Sequence, residues 1–283
     1  MLEGAVAHSA ATIRLVINAD GFGASAARNA GVLSAHRNGI VTSTSVLGNA
    51  GQPVEVLAEL KAMPKLGTGV LLALADGPAV ARPDDVPSLV DPEGRFPPRG
   101  RDVVLAWGKA AVRGEDVERE FDAQIARWRD AGLVIDHLAI KDNLGSLPMV
   151  ALAAEKVARK HGIAGLRTVV EKPTLAWTAD VPRGLAVAAA GALAWYSRRH
   201  LGVLRHGPQT WGHFDWDRLD EIRLLEIVGR LGPGGHEILC APDHRPEVAS
   251  PPRQDEVAAL CSPRVAAAIG GRGIELCRWS DLF

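Results

Sequence analysis

Cysteine is scarce in this chain: Cys240, Cys261 and Cys277 are the only three in 283 residues, and none stands in a Cys-x-x-Cys spacing. That excludes a disulfide framework and a zinc ribbon, and it suits a reducing compartment in which the thiols are simply buried. Net charge is nearly absent as well. With 32 basic residues against 33 acidic ones the formal charge is −1, so no overall field draws the chain to nucleic acid or to anionic lipid, and no nucleic-acid partner is expected. Long hydrophobic runs are missing too. The longest, residues 184–195, falls short of the roughly 20 apolar residues of a membrane-spanning helix. Residues 1–11 lack a basic segment followed by an apolar core, so no secretory leader and a cytoplasmic location are expected.

What is present is a repeated alternation. Residues 12–17 form an apolar run that breaks at Asn18-Ala19-Asp20-Gly21, and this reads as a strand delivering the Asp20 carboxylate to its carboxyl end. A helical segment at 26–38 and a Thr-rich strand at 40–46 follow. Further apolar runs at 67–74, 133–140, 165–170 and 237–240 end in Asp76-Gly77, Lys141-Asp142-Asn143, Glu171-Lys172 and Asp243-His244. Charges thus gather where strands finish, the face on which barrel-like α/β folds build their sites.

Between the strands lie helical segments at 115–131, 148–162 and 217–231, the first with Val117, Phe121, Ile125 and Trp128 on one face. Residues 81–101 are rich in proline, glycine and charge and read as a long loop. Residues 184–206 form an alanine-rich insertion followed by Arg198, Arg199, His200, Arg205 and His206. A core helix with a solvated end, a lid over the site and a contact for an amphiphilic substrate are all consistent with it.

The stretch Asn18-Ala19-Asp20-Gly21-Phe22-Gly23, followed by 35–45, resembles the opening of the YdjC-like carbohydrate deacetylases, which include chitooligosaccharide and hopanoid-associated enzymes. The resemblance continues through 69–77, 86–96, Asp136-His137-Leu138, Leu166-Arg167, 237–242 and 273–276. It implies a single-domain irregular (β/α) barrel, TIM-like and related to polysaccharide deacetylases, over residues 12–283 behind an extension at 1–11. It also implies a divalent metal held by one aspartate and two histidines, and removal of acetyl groups from N-acetylated sugars.

Residue by residue, the implied ligands are replaced. The family's second aspartate falls on Gly21, one histidine on Leu71 and the next ligand on Lys141. Asp142, Asn143 and Gly145 stand where further histidines are usual, and a later His-Pro pair becomes Ala241-Pro242. Glycine, leucine and alanine offer a metal no side-chain donor, so no metal and no cofactor are expected.

Lys141 then carries the sharpest signal. Its ammonium is read as a cation replacing a cation beside Asp20 or Asp142, as a base or nucleophile if desolvated, or as a plain ion-pair partner of Asp20. His213, between Trp211 and Phe214, is the candidate acid/base. Asn18, Arg167, Trp211, Asp243 and His244 are the candidate substrate-binding residues, with an Arg167–Glu171 ion pair as the alternative for the arginine. His36 and His137 read as structural.

The leading expectation is a repurposed enzyme acting without metal on a small sugar-like or secondary-metabolite substrate through Asp20, Lys141, Asp142 and His213. A pseudoenzyme that binds a ligand or partner, and a deacetylase with ligands rearranged onto Asp20, Asp142 and His244, are the rivals. A homodimer is compatible with all three.

Overall fold

Leu15, Val16, Ile17 and Ala19 are fully buried, as befits a central parallel strand covered on both faces. They lie in β1 (Ile13–Phe22) of a computed structural model that describes residues 12–51, 53–109, 111–168, 170–173, 175–178, 180–200, 207–215, 219–243 and 254–282. The strand runs on past Asp20, where the sequence predicts a turn. Its register against the next strand shifts between Asp20 and Phe22, and Gly21 supplies the positive φ of 86° at that bulge.

The remaining strands are β2 (Ser43–Leu47), β3 (Gly67–Leu72), β4 (His137–Ile140), β5 (Gly165–Leu166), β6 (Gln209–Trp211), β7 (Gly234–Cys240) and β8 (Glu275–Leu276). All pair in parallel in the order β5-β4-β3-β2-β1-β7-β6, with β8 beside the start of β1. The outer strands β5 and β6 share no ladder. Side chains join that seam instead: Gln209 Nε2 donates to the Val170 carbonyl at 2.7 Å, and the Val170 amide donates to Thr210 Oγ1 at 3.3 Å. The sheet is therefore a curled, irregular barrel, and the expectation of a single α/β barrel-like domain holds.

Helices α1 (Ala26–Arg37), α2 (Pro53–Lys61), α3 (Gly100–Gly108), α4 (Gly114–Asp130), α5 (Pro148–Lys160), α6 (Val181–His200), α7 (Glu221–Arg230), α8 (Gln254–Leu260) and α9 (Pro263–Gly271) flank it. Ser25, Asp220 and Ser262 cap α1, α7 and α9 by accepting amide protons of the first turn. The Asp220 cap makes α7 begin at Glu221 rather than at 217. The loop predicted at 81–101 is irregular apart from a short turn at Pro83–Asp85, and it ends where α3 begins at Gly100. No helix among the described residues is long and apolar enough to cross a membrane.

One helix does more than fill the core. On α4 the predicted apolar row Val117, Phe121, Ile125 and Trp128 is fully buried. Beside it runs a buried polar row at four-residue spacing, Asp116, Glu120 and Gln124. Asp116 accepts from the Ser88 amide at 3.0 Å, and Glu120 accepts from the Val80 and Ala81 amides, each at 3.0 Å. Gln124 takes the Ala73 amide at 3.0 Å and returns a bond to the Ala73 carbonyl at 2.7 Å. Trp128 Nε1 reaches the Gly48 carbonyl at 3.1 Å. Gly48 admits this arrangement, since a Cβ there would lie 2.0 Å from Gln124 Oε1. The row pins the backbone of the long segment after β3 at Ala73, Val80, Ala81 and Ser88.

Replacing Gln124 with alanine strands both backbone groups of Ala73, at a cost of about 1–3 kcal/mol for each buried unsatisfied group. Urea unfolding of Gln124→Ala is expected to show a loss of about 2 kcal/mol or more, against about 0.5 kcal/mol or less for the exposed Ile222→Ala. Equal losses would refute the pinning role.

Candidate functional site

Asp20, at the carboxyl end of β1, is buried together with an arginine and a second acid. Arg167, just beyond β5, sends Nη1 to Asp20 Oδ2 at 2.6 Å and Nη2 to Asp20 Oδ1 at 3.0 Å. The same guanidinium donates from Nε and Nη2 to Glu237 Oε1 on β7, at 2.9 and 2.6 Å. Burial alone would lower the Arg167 pKa, but the two carboxylates outweigh it and raise the pKa above the usual value. Asn18 Nδ2 donates to Asp20 Oδ1 at 2.8 Å and to Ser45 Oγ at 2.9 Å. Ser45 Oγ in turn lies 2.9 Å from His137 Nε2, whose Nδ1 is 2.5 Å from Asp136. Trp279 stacks on His137 with centroids 5.0 Å apart and donates to Glu237 at 3.3 Å.

Above this buried chain opens a cavity of about 720 Å³. Its floor includes Asp20, Arg167 and His213, and its walls come from β-strand ends at Leu47, Leu71 and Leu239, from 140–144 and from the inner side of α6. Arg28, Arg99, Arg101, Lys141 and Arg183 add positive charge, with Asp76 and Asp142 as further carboxylates. Gly21, Leu71 and Lys141, the three positions where the family resemblance implies metal ligands, all face it. Among the described residues no three His, Cys, Asp or Glu side chains gather as a metal-ligating group.

Backbone strain gathers at the same wall. Asp76, Asp142 and Asn143, with φ of 67°, 58° and 57°, are the non-glycine residues of left-handed conformation among those described, and all three line the cavity.

The sequence-predicted residues divide. Asp20, Lys141, Asp142, His213 and Arg167 are brought together on one cavity. Lys141 does not pair with Asp20, whose oxygens Arg167 holds. Its Nζ lies 3.4 Å from both Asp76 Oδ2 and the Ala75 carbonyl. Arg167 pairs with Asp20 and Glu237 rather than with Glu171. Asn18 lies beneath Asp20 and orients it instead of facing the cavity. Trp211 is buried and donates to His236 Nδ1 at 3.3 Å, so its indole is core rather than a stacking platform. Asp243 is buried beside Arg28 at 3.5 Å, while His244 lies outside the described residues. His36 bonds to the Val41 carbonyl at 2.7 Å, and His137 is buried between Ser45 and Asp136.

Sequence reasoning missed Glu237, Ser45 and Trp279 as partners in the buried chain. Glu237 had a signal: a charge inside the apolar strand His236–Cys240, where only a buried partner can be its reason.

His213 is buried, and its Nε2 has no hydrogen-bond partner among the described residues. Burial first, and then the Arg167 charge, lower its pKa to about 3, with Asp20 opposing. The imidazole is therefore neutral at neutral pH, a hydrogen-bonding group rather than a charged acid. Glu171 holds the His213 turn by accepting the Gly212 amide at 3.1 Å and the Phe214 amide at 2.9 Å. Burial raises the Glu171 pKa to about 7, helped by Asp215 and opposed by those amides.

The family sequence model described as YdjC-like protein matches residues 14–270. The chain belongs to that family. A carbohydrate deacetylase of Geobacillus stearothermophilus is 29% identical over 275 residues, 95% of this chain and 97% of that protein. A carbohydrate deacetylase of Brevibacillus brevis is 36% identical over 151 residues, 53% of this chain and 58% of that protein. Among solved structures, a proposed cellobiose-phosphate cleavage protein of Enterococcus faecalis V583 superposes with a TM-score of 0.75 at 25% identity, over 96% of this chain and 99% of that one. The fold is shared with that solved structure, and in this chain the cavity lies where the strands end.

The two shifted groups near His213 act oppositely on stability. A His213 neutral in the native state contributes stability above its unfolded pKa of 6.5, which is lost as pH falls toward 3. Glu171, raised from 4.5 to about 7, contributes stability below 4.5 that is lost as pH rises to about 7. Urea unfolding of His213→Gln between pH 6.5 and 4.5 is therefore expected to lose less stability on acidification than the parent. Parallel curves would show that His213 is not held neutral.

Proposed function

We propose that this YdjC-like protein is a divergent enzyme that works on a small sugar-like or secondary-metabolite substrate without the family's metal site. The observation that carries this reading is that Asp20, Lys141 and His213 face one cavity, with Lys141 at the position of an implied metal ligand and in a strained segment of backbone. The carbohydrate deacetylases among its relatives support the sugar-like class of substrate.

In this reading each residue has a part. Lys141, steadied by Asp76 and the Ala75 carbonyl, offers its ammonium to an oxygen on which negative charge develops. Asp20, oriented by Asn18 and Arg167, faces the attacking water or an acidic proton. His213 presents its Nε2 to a substrate hydroxyl or amide. Asp142, exposed beside Lys141, adjusts the local charge.

A second reading, binding without chemistry, draws support from the same ion pair: both Asp20 oxygens already accept guanidinium protons, which weakens a base.

The test is elemental analysis of protein incubated with zinc, magnesium, manganese, cobalt and nickel, followed by turnover of a panel of N-acetylated and O-acylated sugars before and after chelation. Chelator-resistant turnover that falls by about 100-fold or more in Lys141→Met is expected, the scale of losing one preorganised charge at an oxyanion. Stoichiometric metal with chelator-sensitive turnover would replace this reading with a deacetylase of rearranged ligands. Ligand binding with no turnover would leave the binding protein.

A further inference from the structure

We propose that the outer face of α6 docks the protein on an anionic phospholipid surface. An ordinary surface helix turns polar residues outward and apolar ones inward. In α6 the buried positions include Gly184, Val187 and Ala194, yet the outward ones are apolar as well. Leu185 is 67% exposed, Trp195 57% and Tyr196 50%, and Leu193, Ala189 and Ala192 lie on the same side. No charged residue stands between Arg183 and Arg198. Five of the large hydrophobic side chains exposed among the described residues belong to this one helix: Val181, Leu185, Leu193, Trp195 and Tyr196.

Apolar area alone does not name an occupant; charge does. From 181 to 214 the sequence has no Asp or Glu and four arginines, Arg183, Arg198, Arg199 and Arg205; Arg183 lines the cavity, and the exposed Arg199 stands beside Trp195. The total charge of −1 hides this local excess. Aliphatic side chains and a Trp-Tyr pair with Arg199 at their border match a bilayer interface, where aromatic rings sit at headgroup depth and cations meet anionic lipid. Arg199 lies 5.9 Å from the Trp195 ring, so the cation and the aromatic share one end of the face. A second copy packed on that face would set arginine against arginine with no carboxylate on the helix to relieve it, which favours the lipid. The helix does not qualify as a span, so it lies on the surface. Its inner side supplies Arg183, Ala186, Val187 and Ala190 to the cavity, so lipid contact and cavity share one element. The inference does not depend on the catalytic reading.

The experiment is sedimentation of the full chain with vesicles of phosphatidylcholine alone, or of phosphatidylcholine mixed with phosphatidylglycerol. Retention is expected on the anionic vesicles and is expected to weaken as salt rises. Leu185→Glu combined with Trp195→Glu should reduce partitioning at least tenfold, and Arg199→Glu alone about fivefold or more, both with melting curves close to the parent. Leu185→Glu alone guards against a folding defect at Trp195. Absence of retention, or retention unchanged in these variants, would overturn the proposal. A dimer in light scattering that Leu185→Glu dissociates, without vesicle binding, would assign the face to a second copy.

Discussion

Arg167 holds two buried carboxylates that come from neighbouring strands, Asp20 at the end of β1 and Glu237 within β7. Burying a charge is costly unless it is paired and hydrogen-bonded, and a carboxylate left alone in such a place costs several kcal/mol. Two acids on adjacent strands therefore require a cation, and the planar fork of a guanidinium serves both at once. The cation stands just past β5, the far edge of the sheet order, whose ladder is only two residues long. The ion triad ties that weak edge across the barrel to its central strand. The side-chain seam of Gln209 and Thr210 completes the closure that backbone pairing leaves undone.

The same triad sets the electrostatics of the cavity above it. Arg167 saturates Asp20, so the lysine that the sequence places near this aspartate turns to Asp76 instead. Its charge, added to burial, also strips His213 of its proton at neutral pH. His213 is in turn held by a buried acid, Glu171, through two amides of its turn. The floor of the site thus holds one guanidinium between two carboxylates, whereas Lys141, Arg99 and Arg101 bring positive charge to the walls.

Much of the fold was legible because strand ends and helix faces leave local marks. The run 12–17, the clusters after each strand and the row Val117, Phe121, Ile125 and Trp128 are patterns of period two or 3.6. The two-residue strands β5 and β8 carry no such pattern, and the strand predicted at 165–170 shrinks because Thr168 and Val170 bond to the side chains of Thr210 and Gln209 rather than to a ladder. Helices α2, α3, α8 and α9 run only seven to nine residues, too few turns for an apolar face to repeat. For the site, residue types and strand ends sufficed to bring Asp20, Lys141 and His213 to one cavity. Pairings were not legible. Arg167 finds Glu237 at a sequence distance of 70 residues, and only the closed barrel decides between that acid and Glu171. Trp211 and His213 sit two apart on an extended segment, yet the turn at Gly212, with φ of 96°, breaks the alternation that would have sorted inward from outward side chains.

The strained wall bears on how such a site persists. A left-handed non-glycine residue costs roughly 1–2 kcal/mol, and Asp142 and Asn143 adopt that conformation consecutively, directly after Lys141. Asp76, the carboxylate nearest the lysine ammonium, adds a third case. Against a net stability of about 5–15 kcal/mol for a typical domain, this is a large concentration of strain in one place. A glycine at 142 or 143 would relieve it at no steric expense, as glycine does at nine other positive-φ positions in the described chain. Strain where relief is so accessible, at the two residues after the cation and at its carboxylate, is what the proposed working role of Lys141 would require. A lysine that merely filled space would give no such reason to hold the two residues after it in a disfavoured backbone, while Ile140 before it is ordinarily extended.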